Sequence, residues 1–176
     1  MRYKKYLCLI LIFSVFLTSC SSLKTEGGED AQAVLEDIIR TFSIEEGSLY
    51  SDRMDASYPL TASMLERMFP DRGDTADLVY VVSSAVWFSR RFSEKEIIVF
   101  QICDLSHQRE LLYLLAKRAK KKENAVVFAN GIYLYLICTE QNEAIMRYLG
   151  RRRAFRNKIS LKARSHPHCR RRQGEH

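Results

Sequence analysis

Glycine and proline are scarce in this chain, 7 and 3 among 176 residues. That scarcity excludes a collagen-like repeat and a low-complexity disordered polymer, and the length favours one domain over a multi-domain enzyme. Reactive residues are scarce too. Between Cys20 and Gly150 there is one histidine, His107. No glycine-rich phosphate loop, nucleophile elbow or paired-cysteine metal spacing is present. Net positive charge is missing from the middle of the chain, although the formal net charge is +7. Residues 1–20 hold Arg2, Lys4 and Lys5 and no acid, and residues 151–176 hold ten basic side chains and one acid, Glu175. Residues 21–150 are left with 15 basic and 20 acidic side chains, a net charge of −5. A nucleic-acid-binding fold should carry its basic footprint on the fold itself, so no nucleic-acid partner is expected.

The terminal charge has a different meaning. Met1–Lys5 is a short positive segment, and Tyr6–Leu17 is an apolar run of twelve broken by Ser14. A membrane-spanning helix needs about 20 apolar residues. A charged start, a short apolar middle and a small-residue end describe a secretory signal. The end, Leu17-Thr18-Ser19-Cys20, looks like the lipobox of bacterial lipoprotein precursors: an aliphatic residue and two small ones before an obligatory cysteine. The thiol of Cys20 then accepts a diacylglyceryl group, and small residues let the peptidase hold an extended backbone. An ordinary secretory signal with a chance cysteine, or a short uncut anchor, are the competing explanations. The expected division is a signal peptide over 1–19, a polar tether over 20–29, a folded domain over 30–150 and a basic tail over 151–176. Two acyl chains give stable anchoring where one does not.

Within the folded part, Asp30 is a suitable helix N-cap. Val34, Leu35, Ile38, Ile39 and Phe42 follow at helical spacing, predicting a helix over 31–42. Residues 43–60 read as loop, with Gly47 and Pro59 as breakers. Ser63 and Glu66 resemble a capping box opening a short helix that ends at Pro70. Leu78–Val82 reads as a strand that continues through Ala85–Phe88 past a bulge at Ser83-Ser84. Glu96–Cys103 is a strand apolar enough to be covered on both faces. Asp104 opens a helix running to about Lys122, with Leu111, Leu112, Leu115, Ala116 and Ala119 as its buried stripe. Asn130-Gly131 predicts a hairpin within 125–138 that sets Phe128 opposite Tyr133 and Val126 opposite Tyr135. Thr139 caps a last helix bearing Ala144, Ile145, Tyr148 and Leu149. The fold class is therefore α+β: a single domain with a mostly antiparallel sheet of about four strands and helices packed mainly on one face.

The lipobox, the polar tether and the opening helix precede Ser93-Glu94-Lys95-Glu96-Ile97-Ile98-Val99-Phe100 and a long amphipathic helix. Asn124-Ala125-Val126-Val127 and Asn130-Gly131-Ile132-Tyr133 come next. This order resembles the small lipoproteins of Gram-positive bacteria classed as domain of unknown function 4358, over about residues 30–150. The resemblance implies a compartment and a fold but no activity. The basic tail departs from it, since such proteins usually stop soon after the last helix.

Candidate chemistry is thin. Asp104, His107 and Glu110 share a helix face, yet an N-cap, a first-turn residue and a solvated acid account for them, and no metal or cofactor is expected. Asp71, Asp74 and Asp77 lack the glycine and closing glutamate of a calcium loop. Cys103 and Cys138 end two predicted strands and read as buried thiols rather than a disulfide. Phe128, Tyr133 and Tyr135 share the hairpin face opposite its aliphatic one. They could stack a sugar or peptide if left open, or pack beneath the N-terminal segment. The tail carries Arg151-Arg152-Arg153 and Arg170-Arg171-Arg172, with Phe155, Ile159 and Leu161 between them. It reads as a solvated, disordered extension, able to meet anionic lipid or wall polymer; an altered reading frame is the third explanation. The expected protein is a non-enzymatic, membrane-anchored, extracytoplasmic binding domain of the cell envelope, lipidated at Cys20, with an unknown envelope protein or ligand as partner. The alternative is an envelope enzyme using scattered carboxylates such as Asp74, Asp77 and Glu96.

Overall fold

One strand, β3 (Glu96–Ile102), is buried at every position. Successive side chains of a strand point to opposite faces, so a strand buried throughout needs cover on both sides. The computed structural model, which describes residues 29–44, 46–70, 76–90 and 95–156, supplies that cover. The elements in chain order are α1 (Ala31–Thr41), β1 (Gly47–Ser51), α2 (Ala62–Met68), a 3₁₀ turn (Ala76–Tyr80), β2 (Val81–Ser89) and β3. A second 3₁₀ turn (Leu105–His107), α3 (Gln108–Ala119), β4 (Val126–Asn130), β5 (Tyr133–Cys138) and α4 (Asn142–Arg156) follow. The strands form one antiparallel sheet in the order β1-β2-β3-β5-β4. The fold is α+β, a single domain with, among the described residues, four helices on a five-stranded sheet.

The helices are shared between the two faces rather than gathered on one. Ile98, Phe100, Ile102, Leu134 and Leu136 pack beneath Leu111, Leu114 and Leu115 of α3 and Met68 of α2. On the opposite face, Trp87, Ile97, Val99, Tyr135 and Ile137 meet Val34, Leu35 and Ile38 of α1 and Ile145 and Leu149 of α4. The alternation in β3 demands this division, because Ile97 and Val99 are as apolar as Ile98 and Phe100. Leu112, expected in the buried stripe of α3, is only partly buried, and Leu114 takes the inner position.

The fifth strand is β1, within the segment expected to be loop. It pairs with β2 from Gly47↔Ser89 to Ser51↔Ala85. Leu78–Tyr80 fall in a 3₁₀ turn rather than a strand, and the irregularity in β2 lies between Val81 and Ser83 instead of at Ser83-Ser84. Both serines fit the regular ladder because each has a polar partner: Ser83 Oγ accepts from Ala31 N at 3.1 Å, and Ser84 N donates to Asp52 Oδ2 at 3.0 Å. Helix caps follow the same accounting. Asp30 accepts from Ala33 N at 2.8 Å. Thr61, not Ser63, caps α2 through Met64 N. Asp104 caps the 3₁₀ turn before α3 through Ser106 N at 2.9 Å, and that bond lowers its pKa.

The hairpin forms with a register two residues from the expected one. Phe128 lies opposite Tyr135 and Asn130 opposite Tyr133. The loop is Gly131-Ile132, with positive φ (65°) at Gly131, the arrangement in which glycine takes the first central position. Asn130 instead ends the strand, and its Nδ2 donates to Leu149 O at 2.7 Å. A slip of two keeps every side chain on its expected face.

Glu96 is a charged residue with no exposure, at the start of β3. Arg118 grips it with two bonds, Nε to Oε1 at 2.6 Å and Nη2 to Oε2 at 2.7 Å, and Lys122 Nζ lies 3.1 Å from Oε2. Arg118 Nη1 also donates to Met68 O at 3.0 Å. The antiparallel return of α3 over β3 sets the C-terminal end of the helix above this carboxylate. The negative end of a helix repels a carboxylate, and two cations offset it.

Removing one partner of a buried pair strands the other charge. Arg118→Ala should therefore destabilise the protein by about 3–5 kcal/mol, while Lys95→Ala, which breaks the exposed 2.6 Å pair with Glu140, should cost about 0–1 kcal/mol. Urea denaturation of both variants checks the contrast. Leu134→Ala, at a fully buried position, should cost about 2–5 kcal/mol and Lys121→Ala under about 0.5 kcal/mol; equal melting temperatures for these two would mean that the core has been misplaced.

Candidate functional site

The edge position of β1 creates a groove. Its helical wall is the flank of α1, where Gln32, Glu36, Ile39 and Arg40 recur one turn apart. Its strand wall is Gly47-Ser48-Leu49 with Trp87 behind, and Ala56-Ser57-Tyr58 close one end. The space enclosed is about 430 Å³, within the size range of small-ligand clefts.

One hydrogen bond joins the two walls, and others order the side chains along α1. The Ser51 hydroxyl, on a residue 1% exposed, donates to Gln32 Oε1. Gln32 Nε2 donates in turn to Glu36 Oε1 at 2.7 Å. Arg40 Nη2 turns to Asp37 at 2.8 Å, leaving Glu36 and Glu46 as the acidic groups of the lining. The closing loop is stapled by Arg53, which binds Asp55 through Nε at 2.8 Å and Nη2 at 2.7 Å and reaches Asp30 at 3.4 Å. The Arg53 hydrogen bond holds the Asp55 carboxyl below the usual aspartate range. The staple thus persists above that range and loosens as pH falls through the lowered value.

Gly47 is required by the groove. The Trp87 indole lies across it: a Cβ there would sit 2.2 Å from Trp87 Nε1 and 2.5 Å from the Phe88 carbonyl oxygen. A glycine that marks a loop in the sequence is here a bare strand position covered by an aromatic ring.

The residues singled out from the sequence lie elsewhere. Phe128, Tyr133 and Tyr135 do share a face, but α1 and α4 cover it. Tyr135 is 2% exposed and stacks on Phe128 at 4.9 Å, and the Tyr133 hydroxyl donates to the Glu29 carbonyl. His107 stacks on Tyr80 at 3.3 Å and 8° between planes. Among the described residues, no three of His, Cys, Asp and Glu converge to hold a metal. Cys138 is, as expected, a buried free thiol, and it donates to the Glu123 carbonyl oxygen at 3.4 Å. Cys103 is half-buried and disulfide-bonded to a cysteine other than Cys138, which corrects the expectation of two free thiols. Of the carboxylates considered for an enzyme, Glu96 is closed off by Arg118 and Lys122. Asp77 lies in the 3₁₀ turn, and Asp71 and Asp74 fall outside the described residues, as do residues 1–28 with Cys20, and 157–176. Among the described residues no helix is long and apolar enough to cross a membrane.

Sequence reasoning missed Gln32, Glu36 and Glu46 because each reads as an ordinary solvated residue. The usable signal was Leu49-Tyr50 between small residues, a short strand pattern hidden by Gly47. No protein-family model, no curated protein and no solved structure matches the chain.

Gly47→Ala should push Trp87 out of its place and cost about 1–3 kcal/mol through overpacking. Because Trp87 is the single tryptophan, its emission should move to longer wavelength as the indole meets water; an unchanged spectrum with unchanged stability would refute the close approach.

Proposed function

We propose that the protein is a membrane-tethered, extracytoplasmic binding domain of the bacterial cell envelope, and that the groove between α1 and β1 is its binding surface. The observation that carries the binding role is the groove itself: walls joined by the Ser51–Gln32 hydrogen bond, a tryptophan in the lining and two acidic side chains. The tether rests on Lys4-Lys5, the apolar run and Leu17-Thr18-Ser19-Cys20, with Cys20 as the lipid-bearing residue. The resemblance to small Gram-positive lipoproteins belongs to the same proposal. The basic tail, whose residues 151–156 continue α4 rather than starting an extension at Arg151, adds a contact to anionic lipid or wall polymer, at about 1 kcal/mol per basic residue near a charged surface. A binding role is favoured over catalysis because Glu96 is spent on Arg118 and Lys122.

Metabolic labelling with radioactive palmitate in a bacterial host, followed by fractionation, tests the tether. Wild type should be labelled and sediment with membranes, and Cys20→Ala should carry no label. An unlabelled wild-type protein released equally with the variant would overturn the proposal.

A further inference from the structure

β1 is an edge strand, and its backbone groups alternate. Glu46 O accepts from Arg90 N, and Asp52 N donates to Ser84 O. Even-numbered residues of this stretch therefore face β2, and Gly47, Leu49 and Ser51 turn their N–H and C=O outward. At Ser51 the outward side is taken by the chain itself. Ser51 N donates to Tyr58 O at 3.2 Å, Leu60 N donates to Ser51 O at 2.7 Å, and Pro59 forms a parallel bridge with Ser51. Among the described residues no backbone group pairs with the outward sides of Gly47 and Leu49. These two residues line the groove.

An open edge beside a groove is a template for another strand. Resting on the groove's role proposed above, we infer that it takes an extended peptide with basic side chains, added beside β1 in the lane that Tyr58–Leu60 already occupies at Ser51. The charge fits. Glu36 and Glu46 are the acidic side chains of the lining, while Arg40 is engaged by Asp37. The apolar surface fits as well. Gly47 and Leu49 lie on the α1 side of the sheet with Trp87, so alternate side chains of an added strand point to Ile39 and Glu36. A lysine or arginine lays its hydrocarbon stem on such a surface and brings its charge to the carboxylate. Two outward residues accommodate a short stretch of three to five peptide residues, on the strand spacing of about 3.3 Å.

The sole tryptophan reports on this site directly. The full-length protein is titrated with the capped pentapeptide acetyl-Val-Lys-Val-Lys-Val-amide while Trp87 emission is followed. Three comparisons are made: the same peptide N-methylated at its three central residues, acetyl-Val-Glu-Val-Glu-Val-amide, and the protein variant Glu36→Gln/Glu46→Gln with the lysine peptide. A saturable change with the lysine peptide is expected, with binding at least about tenfold weaker for the N-methylated peptide, which has lost the donors that face β1. The glutamate peptide and the double variant should also bind more weakly. No saturable response from a folded protein overturns the inference. Equal affinity for the N-methylated peptide also overturns it, because the groove then binds without strand addition and the broader binding role survives. Equal affinity for the glutamate peptide removes the charge preference and overturns it as stated. Failure of palmitate labelling would remove the tether and leave these outcomes unaffected.

Discussion

The carboxylate of Glu96 sits where three parts of the chain meet. It begins the central strand, the C-terminal end of α3 descends on it, and Arg118 carries the connection on to the Met68 carbonyl at the end of α2. An unpaired charge at that depth is not tolerable, and its partners lie on a different element. Any arrangement that displaces α3 along the sheet strands Glu96, whereas leucine packing alone would let the helix slide at modest cost. The ion triad therefore acts as a positional lock on a core that is otherwise aliphatic and permissive. The opposite face has a looser device. Tyr148 donates to Asp37 at 2.6 Å, joining α4 to α1, and Gln141 Nε2 donates to the Phe42 carbonyl at 3.2 Å.

With both faces filled, the molecule keeps its irregular chemistry at one sheet edge. β4, the other edge, packs against α3 and α4. Among the described residues, β1 pairs with β2 on one side and meets the 52–60 loop at Ser51 on the other, with the flank of α1 across the groove. The groove follows from that asymmetry: α1 crosses β2 and β3 and leaves the outermost strand partly uncovered.

Much of the fold was legible because local signals agreed with tertiary demands. α1 has a capping aspartate, a clean apolar stripe and a register that the structure repeats. β3 announced its central place through Ile97-Ile98-Val99-Phe100. The hairpin's faces survived a register slip because parity, not pairing, decides which side is buried. β1 was hidden for a physical reason. Its five residues carry little strand propensity, and their pairing comes from β2, far along the chain. The groove was hidden with it, since Glu36 on a helix alone is only a solvated acid. Glu96 was noticed as a carboxylate, but nothing local shows that Arg118 and Lys122 converge on it.

The attachment of the first described residues has a mechanical meaning. The Glu29 carbonyl is held by the Tyr133 hydroxyl, and the Ala31 amide by Ser83. Tension applied from the N-terminal side thus enters β5 and β2, strands inside the sheet, before α1 can unwind. Those two hydrogen bonds, and not the ladder of an edge strand, are the first to carry it. A pull at Glu29 is therefore felt first at Tyr133 and Ser83, and the open edge of β1 lies on a different strand from either.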